Sequence, residues 1–457
     1  MTRSRSDGRI LVIGGVAGGM SAATRAKRVN PDLDVIVLER DRFVSYGACG
    51  LPYWIAGVVP DYQQLIVYTP DYFRQQRGID VRTRTEAVEI RPGERVVIAR
   101  DRETGETSKI GYDRLVIATG AVPLRPPLPG IELQNIFVLR SLTDGLRLQE
   151  MLVREQPRRA VILGAGYIGL EMAEALVARG LRVTLIEALD RVLGGLTEPD
   201  VSRLIEEELA AKGVRLLLAT KALAFDGDAA QRVRQVITSQ GERIETDLVV
   251  IGVGIRPNVD LAREAGIALG PTGAIAVDDR QETNVIGVYA VGDCSETKHL
   301  VTGRPTWIPL GPAANKQGKV AGDNVAGRRA TFPGVVGTAV VKVFDLEVAR
   351  TGLSLAEAQK SGFKARSVTV TASSRAGYYP GAAPLTIALV FDEESHRVLG
   401  AQIVGREGAA KRIDVFATAL HARLTLEQMA YLDLSYAPPF APVWDPILIA
   451  VGAALKQ

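Results

Sequence analysis

Arg159-Ala160-Val161-Ile162-Leu163-Gly164-Ala165-Gly166-Tyr167-Ile168-Gly169 decides the fold of this 457-residue chain. A short apolar run enters a complete G-x-G-x-x-G turn, and a helix is expected from there through Ala178. Leu181 to Ile186 reads as the next strand, with Glu187 at its end. Strand, glycine turn, helix, strand and terminal acid together make a dinucleotide-binding βαβ unit. Gly164, Gly166 and Gly169 let backbone N–H groups approach a pyrophosphate at the helix N-terminus. A carboxylate at Glu187 suits a free ribose 2′-OH and repels a 2′-phosphate, so NADH is expected and NADPH is less favoured. Ala188 and Leu189 supply no arginine fork for a phosphate, and Arg191, the nearest cation, stands too far along the chain.

A weaker copy lies upstream. Ile10 to Ile13 is a short apolar strand, Gly14 to Gly19 turns into a helix running to about Val29, and Asp34 to Leu38 ends at Glu39. Val16 holds the place of the middle glycine, so this turn taken alone is equally well read as structural. Two such units in one chain suggest two dinucleotides, a bound flavin and its reductant. Leu115-Val116-Ile117-Ala118-Thr119-Gly120 reads as a buried strand ending in a tight turn, where the chain can leave one domain for an inserted one. Thr283 to Asp293 reads as a strand that delivers the Asp293 carboxylate to a helix start, within reach of a ribitol hydroxyl. In isolation that aspartate would be a helix cap.

The bulk composition is that of a multidomain α/β enzyme, 47% apolar and 23% charged; a net charge of +3 says little about nucleic acid, and no nucleic-acid partner is expected. Two cysteines exclude a disulfide scaffold and suit a reducing compartment. No apolar run approaches the ~18 residues of a membrane span. The start, Met1 to Arg9 before Ile10-Leu11-Val12-Ile13, has the outline of a signal peptide, but cleavage there would destroy the first glycine turn. A cytoplasmic protein with a short frayed N-terminus and no metal site is expected.

Phe43-Val44-Ser45-Tyr46-Gly47-Ala48-Cys49-Gly50-Leu51-Pro52-Tyr53 carries one cysteine a few residues beyond the first unit. Flavoproteins that reduce disulfides usually place two cysteines here; Val44 and Ser45 occupy the partner's place. Cys49 can therefore store electrons only by bonding an external thiol or by oxidising to a sulfenic acid. A buried structural thiol is the plainer alternative. Cys294, directly after Asp293, is expected to be an inert packed thiol.

The order of these motifs resembles the pyridine nucleotide-disulfide oxidoreductases over nearly the whole chain. The single cysteine is similar to the subgroup of coenzyme A-disulfide reductases, NADH oxidases and NADH peroxidases. The resemblance implies an FAD domain (1–117 and 254–328), an inserted NADH domain (118–253) and a C-terminal α+β dimerisation domain (329–457). For the last, Val340 to Phe344, Ser367 to Thr371, Leu385 to Phe391 and Arg397 to Val404 alternate like antiparallel strands, and Ile413 to Ala422 and Leu426 to Tyr431 look helical. Carried over residue by residue, the FAD site comprises Gly14, Ala17, Gly18, Glu39, Arg40, Ser45, Val88, Thr119, Gly120, Arg140, Asp293 and Ala313. The NADH site comprises Gly164, Gly166, Tyr167, Ile168, Gly169, Glu171, Glu187 and Gly252. Tyr167 would cover the flavin until NADH displaces it, and Glu171 would orient the nicotinamide or a lysine.

The oxidases and peroxidases carry a histidine in the first glycine turn, where this chain has Ala17. His299, His396 and His421 all lie far from the motifs and read as surface or packing residues. Ala376-Gly377-Tyr378-Tyr379-Pro380-Gly381 and Leu434-Ser435-Tyr436-Ala437-Pro438-Pro439-Phe440 instead resemble coenzyme A-disulfide reductase segments. The resemblance implies a homodimer in which Tyr378 and Tyr436 reach the other subunit's Cys49, with Tyr436 as the acid. Arg25 and Arg28, three apart on one helix face, and Arg77 match positions near the phosphates of coenzyme A, with Ser45 and Cys49 toward its thiol end. Ala48 departs from the family, which often has asparagine there. The expected activity is reduction of coenzyme A disulfide by NADH through a Cys49–coenzyme A mixed disulfide. Coenzyme A-dependent sulfur or polysulfide reduction, NADH oxidation and a flavin redox sensor are the alternatives.

Overall fold

The computed structural model describes residues 8–457. The frayed start expected for the first residues lies outside them. Two parallel five-stranded sheets carry the nucleotide-binding motifs. The first runs Val288–Ala290, Arg114–Ile117, Arg9–Ile13, Asp34–Leu38, Ile79–Arg82 in spatial order. The second runs Arg215–Leu217, Arg182–Ile186, Arg159–Leu163, Leu248–Ile251, Ile136–Val138. Helices cover both faces of such sheets, so their strands read as unbroken apolar runs. Ile10, Leu11 and Val12 are accordingly fully buried, and so are Leu248, Val249 and Val250.

The helices Ala17–Val29 and Tyr167–Ala178 follow the two glycine turns at the expected positions. A three-stranded antiparallel sheet is appended to each unit, Thr85–Gly111 on the first and Ala222–Glu245 on the second. An antiparallel ribbon, Ala121–Pro123 against Ile255–Pro257, stands where the chain passes between the two parallel sheets.

The segment read as one strand from Thr283 to Asp293 is a strand only over Val288–Ala290. Gly287 adopts φ +80° and Ile286 is 90% exposed, so the first half turns outside the sheet instead of pairing. Asp293 then sits in a short turn of 3₁₀ helix, Gly292–Cys294, and does not cap it.

The last unit is a five-stranded antiparallel sheet ordered Ala339–Val343, Leu346–Gly352, Val398–Gly405, Pro384–Asp392, Ala365–Ser373. Leu346–Gly352 and the closing helix Pro446–Ala454 were not anticipated. Pro384–Asp392 and Val398–Gly405 are buried at nearly every position, so the alternation read there does not mark a wet face. Leu385, Ile387 and Leu389 join Phe416 and Ile447 in one core, whereas Ala388 and Val404 join the core of the second parallel sheet. Successive side chains of a strand thus serve two cores. Glu174, on the Tyr167–Ala178 helix, pairs with Lys342 and accepts the Phe344 N–H at 2.8 Å, fastening that helix to the hairpin 339–352.

Candidate active site

The first glycine turn is packed too closely for side chains. Gly14 has φ +109°, and a Cβ there would lie 2.1 Å from the Ala118 carbonyl; one at Gly19 would lie 1.9 Å from the Gly14 carbonyl. Glu39, nearly buried, accepts the N–H groups of Gly15 at 2.7 Å and Asp41 at 2.8 Å. Burial pushes its carboxyl above the ordinary range against the pull of those donors. The helix behind the turn has no side-chain cap, which leaves its first N–H groups without a side-chain partner. A Cβ on Gly18 would meet Val291 at 3.1 Å, which shows how near the Asp293 turn comes.

The other flavin candidates lie on several elements. Arg140 and Asp293 pair at 2.7 Å, and Trp307 Nε1 donates to the Asp293 carbonyl at 2.8 Å. Burial raises the Asp293 carboxyl and Arg140 opposes the rise. Thr119 Oγ1 donates to the Asn258 carbonyl at 2.6 Å, and Gly120 turns at φ +71° beside Arg140. Ser45, at φ +47°, donates its N–H to the Gly15 carbonyl at 2.9 Å. Val88 falls in a bulge between Ala87 and Glu89 that leaves it out of the strand pairing. Ala17 opens the first helix, and Ala313 lies in the first turn of Gly311–Val325, which has neither a side-chain cap nor an acid there. Arg40 is exposed at the rim. A glycine cradle and two uncapped helix starts are what the phosphates of a bound FAD require, so these residues fit that group.

The second turn repeats the design. Gly164 has φ +94°, and a Cβ there would lie 2.5 Å from the Gly252 carbonyl; at Gly169 it would lie 1.9 Å from the Gly164 carbonyl. Glu187 accepts the N–H groups of Ala165 at 2.7 Å and Leu189 at 2.8 Å. A cavity of about 520 Å³ is lined by Gly164, Gly166, Glu187, Leu189, Gly252 and Lys221. Lys221 has no motif around it and the sequence reading passed over it. Tyr167 opens the helix half-buried, and burial raises its phenol; Ile168 is partly exposed.

Cys49 lies in the turn Ala48–Gly50 that leads into the helix Leu51–Ala56. The residue is exposed as a whole, yet packing on its protein side strips water from the thiol and is the largest cause raising its pKa. Glu171 raises it further, Arg140 pulls it down, and Asp293 adds a smaller push upward. Cys49 therefore stands among Glu171, Arg140 and Asp293, residues from both nucleotide-binding units. Glu171 meets no lysine: its partner is Tyr53, whose hydroxyl donates to Oε1 at 3.3 Å. Burial lifts the Glu171 carboxyl to about 7, with Tyr53 pulling the other way.

A second cavity, about 650 Å³, opens beside the Cys49 segment and is lined by Ser45, Gly47, Arg25, Arg28, Arg77 and Lys319. The three arginines expected near phosphates thus line one cavity. Arg25 is held by Asp323 at 2.8 Å. Tyr68 and Tyr72 stack in the same cavity with ring centres 4.4 Å apart, and Arg77 donates to the Tyr72 hydroxyl at 2.9 Å. Sequence reasoning missed Lys319, Tyr68 and Tyr72 because they sit on elements with no motif of their own. Cys294 is fully buried and donates to the Val291 carbonyl at 3.3 Å, a packed thiol as expected.

The two tyrosine segments meet through the Ala376 N–H and the Pro438 carbonyl at 3.2 Å. Tyr378 and Tyr436 stand side by side, 78% and 49% exposed, and hydrogen bonding to Tyr378 raises the Tyr436 phenol. Phe440, Val443 and Trp444 nearby are also exposed, an apolar surface of the kind that another chain covers. His299 is buried, His396 pairs with Glu427 and His421 is exposed, so no histidine serves the Cys49 segment in sequence or in these pairings. No helix among the described residues is long and apolar enough to cross a membrane.

Residues 8–318 match the pyridine nucleotide-disulphide oxidoreductase family, and residues 338–446 match the dimerisation domain of the same family. The chain is 43% identical over 441 residues to the NAD(P)H sulfur oxidoreductase (CoA-dependent) of Pyrococcus furiosus, covering 96% of this chain and 98% of that protein. It is 33% identical over 440 residues to the coenzyme A disulfide reductase of Staphylococcus aureus, covering 96% and 98%. The crystal structure of reduced Bacillus anthracis CoADR-RHD superposes with a TM-score of 0.95 at 37% identity, over 100% of this chain and 81% of that one.

Proposed function

The chain belongs to the pyridine nucleotide-disulphide oxidoreductases, and from that membership we propose that it uses NADH to reduce coenzyme A disulfide through Cys49. One observation carries the reading: the segment that leads to the exposed Cys49 thiol lines, through Ser45, Tyr46 and Gly47, a cavity shared with Arg25, Arg28, Arg77 and Lys319. Coenzyme A brings a diphosphate and a 3′-phosphate, which need such cations, and a thiol that reaches past them.

FAD, when bound at the first glycine turn, supplies the two-electron relay between the nicotinamide and sulfur. Gly14, Ala17, Gly18, Glu39, Arg40, Ser45, Val88, Thr119, Gly120, Arg140, Asp293 and Ala313 are the residues assigned to hold it. Gly164, Gly166, Tyr167, Ile168, Gly169, Glu171, Glu187 and Gly252 are assigned to NADH. The domain limits that go with these assignments are 1–117 with 254–328, 118–253, and 329–457. The ribbon Ala121–Pro123 with Ile255–Pro257 supports two crossings near those limits.

The Cys49 thiolate attacks one sulfur of coenzyme A disulfide, forming Cys49–S–S–CoA and expelling the first coenzyme A thiolate. Two electrons from NADH then cleave the mixed disulfide, restoring the Cys49 thiolate and expelling the second thiolate. The balance is one disulfide, one NADH and one proton to two thiols and NAD⁺, with the second proton carried by the hydride donor. In a homodimer Tyr436, steadied by Tyr378, protonates the departing sulfur at the partner's site, a task that no histidine here is placed to perform.

A second reading, sulfur or polysulfide reduction with coenzyme A as carrier, is favoured by the printed activity of the Pyrococcus furiosus relative. It uses the same thiol and cavity. Mass spectrometry of the purified enzyme before and after thiol reduction tests both, and a loss equal to coenzyme A is expected. Failure of NADH to turn over coenzyme A disulfide, with sulfide released from polysulfide instead, would replace the first reading with the second.

A further inference from the structure

We propose that Lys221 is a specificity residue for the reductant, its ammonium receiving the 2′-phosphate of NADPH at the ribose end of the 520 Å³ cavity. The proposal rests on the assignment of that cavity to a nicotinamide dinucleotide. Glue for the geometry comes from the backbone. The Glu187 N–H donates to the Leu217 carbonyl at 2.9 Å, the Ala219 N–H to the Leu189 carbonyl at 2.7 Å, and the Thr220 N–H to the Glu187 carbonyl at 2.9 Å. Residues 217–220 are thereby laid along residues 187–189, the segment that begins at the ribose-binding acid. Lys221 is the next residue and its own backbone is pinned at both ends: its N–H donates to Ser239 Oγ at 3.0 Å and its carbonyl accepts the Ser239 N–H at 2.8 Å. The base of the side chain is fixed while its four-carbon stem remains free to follow a ligand.

The charges around it point the same way. Lys221 lines the cavity and makes no ion pair among the described residues. Arg191, the only cation that sequence spacing offered, is drawn to Asp190 at 3.3 Å and does not line the cavity. Both oxygens of Glu187 are engaged by backbone N–H groups, which spreads its negative charge and weakens its repulsion of a phosphate. The Glu187 carboxylate still disfavours a 2′-phosphate, and Lys221, a compact and mobile cation, offsets that enough to keep NADPH usable.

The experiment compares the FAD-loaded enzyme with Lys221→Ala, Lys221→Gln and Lys221→Arg. The ratio of kcat/KM for NADPH to that for NADH should fall about 10-fold in the Ala and Gln variants, the scale of one charged hydrogen bond, and return in the Arg variant. A calorimetric titration provides a readout independent of turnover. Adenosine 2′,5′-bisphosphate should lose affinity relative to 5′-AMP by a similar factor in the Ala and Gln variants. If 5′-AMP competes with NADH but neither ratio moves, Lys221 has no such role and the cavity assignment stands. If neither nucleotide competes with NADH, the cavity assignment and the proposal both fall.

Discussion

Tyr53 donates its hydroxyl to Glu171 across 3.3 Å, tying the helix that follows Cys49 to the helix that follows the second glycine turn. The two residues are 118 positions apart, and their meeting sets a titrating carboxyl near enough to the Cys49 thiol to raise it. Its consequences are electrostatic.

Glu171 titrates near 7 in the folded protein and from 4.5 without the fold. Because the folded value is the higher, the native state binds more protons between those limits. This group's contribution is complete below about 4.5 and is lost as pH rises through about 7. Glu171→Gln should therefore flatten the fall in thermal midpoint over that interval and give a higher midpoint than wild type above pH 7. It should also lower the pH at which iodoacetamide alkylates Cys49, since Glu171 is a named cause of the raised thiol. Unchanged profiles in both assays would remove Glu171 from the electrostatics of the site.

Cys49→Ser should retain FAD and still be bleached by NADH, because neither nucleotide site uses the sulfur. Disulfide turnover should be abolished, since an alcohol cannot form the mixed disulfide. Stopped-flow spectra are expected to show reduction by NADH with no reoxidation by coenzyme A disulfide.

Tyr436→Phe removes one hydroxyl and keeps the ring. General acid catalysis contributes ~10²–10⁴-fold, so disulfide turnover should drop toward that range while reduction by NADH is nearly unaffected. A mixed dimer of one subunit lacking Cys49 and one lacking Tyr436 retains a complete site only if the tyrosine acts across the interface. An inactive mixed dimer would place the tyrosine in its own subunit's site.

Arg77→Ala should raise KM for coenzyme A disulfide roughly 10-fold or more, the scale of a charge-assisted phosphate contact. The KM for NADH, whose cavity Arg77 does not line, should change little by comparison. Equal effects on both substrates would mean that the substitution disturbs the fold and not a phosphate site.

Gly14→Ala asks a methyl group to sit 2.1 Å from a backbone carbonyl at φ +109°. Purified protein should carry far less FAD and melt earlier than wild type. Gly57, also at positive φ but with nothing within 4 Å, provides the control: Gly57→Ala meets strain without collision and should keep its FAD.

The sequence was most legible where local pattern and tertiary role coincide. The strand Arg159–Leu163 and the helix Tyr167–Ala178 have the bounds their glycines and apolar run imply. Leu346–Gly352 escaped because it follows Ala339–Val343 after a two-residue turn and merges with it in sequence. Thr283 to Asp293 misled because Val285 and Ile286 look like strand residues, while Gly287 at positive φ turns the chain there. Arg25, Arg28 and Arg77 could be nominated through their resemblance to a family, whereas Lys319 and the stacked Tyr68 and Tyr72 join them only once the fold brings distant parts of the chain to one cavity. Tyr53 was quoted within the cysteine motif but had no meaning until the fold supplied Glu171.

The fastening of Glu174 to Lys342 and Phe344 bears on how such enzymes can be recombined. A chimaera that borrows only the middle unit from a homologue would bring Tyr167, Glu171 and Glu174 on one helix but leave Glu174 facing a foreign hairpin. The transplanted helix could then settle at a new angle, moving Tyr167 and Glu171 relative to Cys49. The natural cassette for exchange is the middle unit together with the hairpin 339–352, although residues 254–338, mostly of the first unit, lie between them in the chain.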